Sequence, residues 1–207
     1  MSKEDQKIIV VERDILFGKD IFQGFRSAKK VDYESRILSN LEVMRRGLAE
    51  NDPTHKQPIG YTIVGNLKTN KVFAYQRASN QNYEEKRLQG KWSWGVGGHI
   101  ESFDTKNENP LRESMLREIK EEIYIQGELK QPKVLGYIND DSNNVGQVHF
   151  GIMYLMQIQG EVKPKDSEIS QGKLMTMNEL ENICSNPDYE VENWSKIALE
   201  PLKEYFQ

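Results

Sequence analysis

Three observations predict an α/β fold for this 207-residue chain. Apolar runs of strand length lie on both sides of a central helical segment, two of those runs are joined across a polar turn, and two amphipathic helical stretches follow towards the C-terminal end. Taken in order, Ile8-Ile9-Val10-Val11 reads as a strand and is followed by the spaced aromatics Phe17, Phe22 and Phe25. A helix is expected to start near Asp32, with Ile37, Leu41, Met44 and Leu48 at helical spacing, and to end at Asn51-Asp52-Pro53. Residues 51–58 form the best linker, so 1–58 is expected to be an N-terminal strand-helix extension packed on a core formed by 59–207. Strands over 60–65 and 71–77 then pair across Asn66-Leu67-Lys68-Thr69-Asn70. A central helix follows, then strands near 133–138 and 147–158 and helices near 177–185 and 191–205.

The central helix carries most of the chemistry. Advancing about 100° per residue from Leu111, Met115, Leu116, Ile119 and Ile123 fall in one sector and Glu118, Glu121 and Glu122 crowd the next. A solvated acidic face is the bland reading. It fits poorly, because unneutralised like charges at this spacing each cost about 0.2–0.5 kcal/mol, Lys120 projects to the other side, and Arg117 can offset only Glu121 or Glu113. A bound Mg²⁺ or Mn²⁺ would turn the repulsion into ligation, since both ions prefer oxygen donors. Ahead of the helix, Gly95-Val96-Gly97-Gly98 follows the strand end Trp92-Ser93-Trp94. Glycines there let the backbone take positive φ and approach a ligand closely.

The run from Gly98 to Ile125 resembles the signature of the Nudix hydrolases: Gly, five residues, Glu, seven residues, then Arg-Glu-apolar-any-Glu-Glu-any-Gly-apolar. Arg117, Glu118, Ile119, Glu121, Glu122 and Ile125 match it directly. Ala74-Tyr75-Gln76-Arg77 and Gly90-Lys91-Trp92 through Gly97-Gly98-His99-Ile100-Glu101 are similar to the strand and loop that lead into that box. The likeness is detailed over 60–125 and looser to about 182. The Gly-Gly-His-Ile run and the N-terminal extension are also similar to a bacterial branch of the family described only as predicted phosphoesterases. There are three departures. The loop before Arg117 is five residues longer than the signature allows, Asp104 or Glu108 stands in for the first glutamate, and Tyr124 replaces the glycine that usually closes the helix.

The resemblance implies an α/β/α sandwich with a mixed sheet, and a pyrophosphohydrolase or phosphoesterase that cleaves an acid anhydride in a nucleoside diphosphate derivative by water attack on phosphorus. It implies metal ligation by Glu118, Glu121, Glu122 and the Gly97 carbonyl. Arg117 would brace the loop through an ion pair with a carboxylate, and Glu118 or Glu168 would serve as base. Arg77, Trp94, Gly97, Gly98 and His99 are the expected substrate contacts. For His99 local hydrogen bonding is an equal reading, and for Trp94 core packing competes with stacking on a base. Trp92 is expected in the core, His149 as a satisfied structural histidine, Asp140-Asp141-Ser142-Asn143-Asn144 as a polar turn and Cys184 as a small buried residue. The chemistry stands without the family as well, because a diphosphate repels nucleophiles until cations neutralise it. A net charge of −4 gives the chain no overall attraction for such a substrate.

Two other classes compete. A nucleotide-sensing module of the same fold would lack the need for every box carboxylate, all of which are present here. A diphosphate isomerase of that fold would resemble enzymes with a cysteine beside the strand leading into the box, whereas the single cysteine here is Cys184. That lone cysteine excludes an intrachain disulfide framework. With no apolar run near the roughly 20 residues needed to span a membrane, and with a polar start, a cytoplasmic location is expected. The charges are mixed, without the basic stripe of a duplex-binding surface. Residues 1–58 are compatible with three roles: covering the sheet, pairing two subunits into a homodimer, or closing over substrate.

Overall fold

The computed structural model of the chain describes residues 2–79 and 88–206. In chain order the elements are β1 (Lys7–Glu12), α1 (Arg13–Phe17), β2 (Gly24–Ser27), α2 (Tyr33–Ser39), β3 (Glu42–Arg45), α3 (Arg46–Ala49), β4 (His55–Asn66), β5 (Lys71–Arg77) and β6 (Trp92–Ser93), followed by a 3₁₀ turn (Ser102–Lys106). Then come α4 (Pro110–Glu122), β7 (Ile123–Leu129), β8 (Lys133–Asn139), α5 (Asn144–Val148), β9 (His149–Pro164), β10 (Ile169–Thr176), α6 (Met177–Ser185) and α7 (Asn193–Tyr205). Two compact units result, one from Met1–Tyr61, Gly97–Arg117 and Val134–Tyr154, the other from Thr62–Val96, Glu118–Lys133 and Leu155–Gln207.

In the first unit the apolar run Ile8–Val11 is buried in β1. It pairs antiparallel with β3 from Lys7↔Arg45 to Val10↔Glu42, and its end meets β4 at Val11↔Lys56. β2 pairs with β8 from Gly24↔Asn139 to Ser27↔Gly136. Phe17, Phe22, Tyr33, Tyr137 and Phe150 form one aromatic cluster, with Tyr33 edge-on to Tyr137 at 5.0 Å and stacked on Phe22 at 5.8 Å. Each such pair adds about 0.5–1.5 kcal/mol beyond its buried area. α2 starts where Asp32 predicts, since Asp32 Oδ1 accepts the Ser35 backbone N–H at 2.9 Å. A polar centre lies beside the aromatics. Lys56 has no solvent exposure, and its Nζ donates to Asp141 Oδ1 (2.7 Å) and to the carbonyls of Gly146 (2.8 Å) and His149 (3.2 Å).

In the second unit β5 pairs antiparallel with β10, from Lys71↔Thr176 to Arg77↔Ile169, and its start pairs with the end of β4 at Gly65↔Val72. β6 joins at Tyr75↔Ser93, and Trp92 makes a parallel bridge to Val191. β7 pairs with the far half of β9, from Ile123↔Pro164 to Leu129↔Ile158. α6 opens on a reciprocal cap: the Glu179 backbone N–H donates to Thr176 Oγ1 and the Thr176 N–H donates to Glu179 Oε2. Among the described residues no helix is long and apolar enough to cross a membrane.

Several expectations need correction. The helix from Asp32 ends at Ser39, and 42–45 become the strand β3. The helical spacing of Ile37, Leu41, Met44 and Leu48 is overridden because the buried strand β1 needs a hydrogen-bonded neighbour, and Leu48 is left 60% exposed. The linker over 51–58 is a short turn running into β4, which begins at His55, so position 58 lies within a strand. Its polar composition misled because Lys56 is buried by pairing. Strands β7 and β10 have no counterpart in the sequence reading, while the hairpin over 66–70, the central helix, β8 and helices α6 and α7 lie where expected. Cys184 is half-buried on α6.

Candidate functional site

α4 ends at Glu122, and β7 starts at the next residue, so no glycine is needed where Tyr124 stands, exposed on the strand. The backbone N–H groups of Lys165 and Asp166 cap the helix by donating to the Glu122 carbonyl at 2.9 and 3.2 Å, and Lys165 Nζ reaches the Lys120 carbonyl at 2.6 Å. These bonds bring the 165–168 segment to the end of α4. Glu168 lies in the turn just before β10. Its carbonyl accepts the Ala78 N–H at 2.8 Å, and its own N–H donates to Asp166 Oδ1 at 2.7 Å.

Glu118, Glu121 and Glu122 thus occupy the last turns of α4, where the helix dipole is negative and repels carboxylates. Burial pushes the Glu122 carboxyl up to about 8; Arg77 opposes the rise, and Glu118, Asp166 and Glu168 add to it. Arg77 is ion-paired with the buried Glu192 and lies over the Tyr75 ring, 5.5 Å from its centroid. Tyr75 in turn donates to the Gly95 carbonyl at 2.9 Å. Within this unit the fold gathers Glu118, Glu122, Asp166, Glu168 and Arg77 into one electrostatic group. Asp166 and Glu192 were missed by sequence reasoning, and only the tertiary fold brings them there. Trp94 is fully enclosed, which corrects the stacking expectation: no ring face is open to a base.

The remaining expected residues belong to the first unit. Gly97 has φ +155°, and a Cβ there would fall 1.6 Å from the Gly60 carbonyl oxygen. Gly97→Ala should therefore cost at least about 2–3 kcal/mol, read as a fall in the urea midpoint; an unchanged midpoint would show that the loop rearranges freely. The Arg117 guanidinium donates to Asp104 Oδ2 (3.3 Å), to the His99 carbonyl (3.1 Å) and to Ser114 Oγ (3.3 Å). Asp104 is buried and also accepts the Glu101 N–H at 2.9 Å, whereas Glu108 is exposed. The carboxylate that partners Arg117 is thus Asp104, carried on the 3₁₀ turn within the lengthened loop. The His99 ring contacts Gln57 (2.8 Å) and His149 (3.2 Å), and burial together with His149, Arg46 and Lys3 holds it well below the ordinary histidine range. The ring thus makes the local hydrogen bonds that were one of its two expected readings.

The chain is similar to known proteins in sequence and in fold. The sequence matches the NUDIX domain over residues 57–195. It is 36% identical to protein YmaB of Bacillus subtilis (strain 168), over 98% of this chain and all of the relative. The structure is similar to the crystal structure of Tm1382, a candidate Nudix hydrolase, with a TM-score of 0.77 and 25% identity over 97% of this chain and all of that one. The NUDIX domain of Shewanella oneidensis NrtR, solved with ADP ribose, shares the fold at a TM-score of 0.53 and 17% identity, over 73% of this chain and 89% of that one. A mixed α/β fold, an acidic helix braced by an arginine, and these matches together mean that the chain belongs to the Nudix family.

Proposed function

We propose that the chain is a metal-dependent hydrolase that cleaves a diphosphate linkage in a nucleoside diphosphate derivative by attack of water on phosphorus. The observation that carries this reading is the half-buried Glu122, set among Glu118, Asp166 and Glu168 at the negative end of α4. Such a cluster destabilises the fold unless a cation neutralises it, and its hard oxygen donors suit Mg²⁺ or Mn²⁺. Glu118, Glu121 and Glu122 would hold that ion, which when bound offsets substrate charge and acidifies water. Glu118 or Glu168 takes the proton of the attacking water. Arg77, held by Glu192 and Tyr75, presents its charge to a phosphate. The residues surrounding the substrate beyond its diphosphate set specificity, so family membership alone does not name it.

The test is release of phosphate, or of a nucleoside monophosphate, from a panel of nucleoside triphosphates, sugar nucleotides, dinucleoside polyphosphates, coenzymes and ADP-ribose. Each is run with Mg²⁺, with Mn²⁺ and with chelator, in ¹⁸O-labelled water. Metal-dependent cleavage with label in a phosphate product is expected. If no member is cleaved while one raises the melting temperature, the hydrolase reading fails and a nucleotide-sensing module replaces it.

A further inference from the structure

A second cluster in the first unit has no part in that chemistry. Glu50, just beyond α3, His99, in the loop after the glycines, and His149, at the start of β9, point three donor atoms at one spot. The separations are 3.2 Å between the two Nε2 atoms, 3.7 Å from His99 Nε2 to Glu50 Oε1, and 3.8 Å from His149 Nε2 to the same oxygen. The two rings share a hydrogen bond, but the last two separations are too long for one, so hydrogen bonding does not explain the approach of the Glu50 carboxylate. They suit ligands around an ion: a point equidistant from the three atoms in their plane is about 2.1 Å from each, within the range of about 2.0–2.2 Å for zinc–nitrogen and zinc–carboxylate bonds.

The surroundings are those of a ligand set. His149 Nδ1 donates to the Val145 carbonyl at 2.7 Å, which leaves Nε2 with its lone pair facing the cluster, as backbone-oriented metal ligands do. Arg46 fixes Glu50 through an i,i+4 pair, Nε to Oε1 at 3.4 Å. Gln57, wholly buried, has its Oε1 2.8 Å from His99 Nε2, so in the metal-free protein that ring holds its proton on Nε2 and must shift it to Nδ1 when Nε2 takes the ion. The ligand side chains are 9–22% exposed, which leaves a path for an ion.

We propose that Glu50, His99 and His149 form a second metal site, which takes a borderline divalent cation of the zinc class through two imidazole nitrogens and one carboxylate oxygen and leaves a fourth position for water. Two imidazoles disfavour Mg²⁺ and favour Zn²⁺ or Co²⁺. The site joins three segments distant in sequence, and one of them is the loop whose His99 carbonyl accepts from Arg117.

The test uses the full chain, stripped with a chelator and titrated with Co²⁺ in excess Mg²⁺, which occupies oxygen-only sites without competing for imidazole. One equivalent of Co²⁺ is expected, with the intense visible absorption of four-coordinate cobalt, displaced by Zn²⁺ and accompanied by a rise in melting temperature. Glu50→Gln and His99→Asn should each weaken binding at least tenfold, while Glu122→Gln should bind as wild type does. A weak six-coordinate spectrum, undiminished binding in Glu50→Gln and His99→Asn, or loss of binding in Glu122→Gln would each overturn the proposal. The wild-type spectrum decides even if a ligand variant fails to fold. The Glu122→Gln arm keeps this result separate from that of the hydrolase.

Discussion

Glu122→Gln should lower turnover by at least about a hundredfold, the scale on which loss of a catalytic electrostatic or proton-transferring group acts, and it should do so without lowering stability. The second half of the prediction is the more diagnostic. A structural carboxylate stabilises its fold, but Glu122 is raised to about 8 by burial and by Glu118, Asp166 and Glu168 against the opposing pull of Arg77. Because the folded protein holds this proton more tightly than the unfolded chain does, stability of the metal-free protein is greatest below the ordinary carboxylate range. It falls as pH rises from about 4.5 towards 8. Glutamine removes that slope, so the metal-free variant should melt at or above the wild-type temperature at pH 8. Added Mg²⁺ or Mn²⁺ should raise the melting temperature of wild type more than that of the variant. Activity within a few-fold of wild type, or a variant markedly less stable than wild type without metal, would remove Glu122 from the proposed site.

Asp141→Ala should cost about 3–5 kcal/mol, the usual penalty for breaking a buried ion pair and stranding one charge. Asp141 holds both Arg13, at 2.5 Å, and the fully buried Lys56, at 2.7 Å. Burial alone would raise its carboxyl, but hydrogen bonds from Arg13, Lys56 and Asn139 bring it down to about 2. A depressed carboxylate stabilises the fold above its unfolded value and loses that contribution as pH falls through its folded one. The wild-type advantage over the variant should therefore be complete above about pH 4 and vanish towards pH 2. Lys56→Met should be milder, because Asp141 keeps Arg13 and Asn139. Urea midpoints across pH measure all three proteins. If Lys56→Met proved as costly as Asp141→Ala, hydrogen bonds from Lys56 to the Gly146 and His149 carbonyls would be the dominant interaction instead.

How far the sequence could be read depended on the range of the interactions involved. α4 and its carboxylates were legible because helical spacing is local and the charge cluster lies within five consecutive positions, 118–122. The hairpin over 66–70 and the caps of α2 and α6 are local for the same reason. β3 was read as helix because Ile37, Leu41, Met44 and Leu48 also fit a helical stripe, and only the pairing with β1 decides between the two. The strand β7 was hidden because the signature's closing glycine falls at position 124, two residues beyond the helix end, and β10 carries alternating polar residues around Gly172, where the Phe73 ring leaves no room for a Cβ. The partner of Arg117 could not be chosen by counting, because the inserted residues coil into a 3₁₀ turn that brings in Asp104 and leaves Glu108 outside. Glu192 and the Glu50–His99–His149 group are assembled from positions far apart in the chain, for which no spacing rule exists.

The measurement that bears most directly on the central claim is Mn²⁺ binding, followed by electron paramagnetic resonance on the full chain stripped with a chelator and given a single equivalent of Zn²⁺, which imidazole ligands take in preference to carboxylates. If the carboxylates at the end of α4 hold the cation that hydrolysis requires, wild type binds Mn²⁺ and Glu122→Gln binds it at least tenfold more weakly. Equal Mn²⁺ affinity in the two proteins would contradict the account.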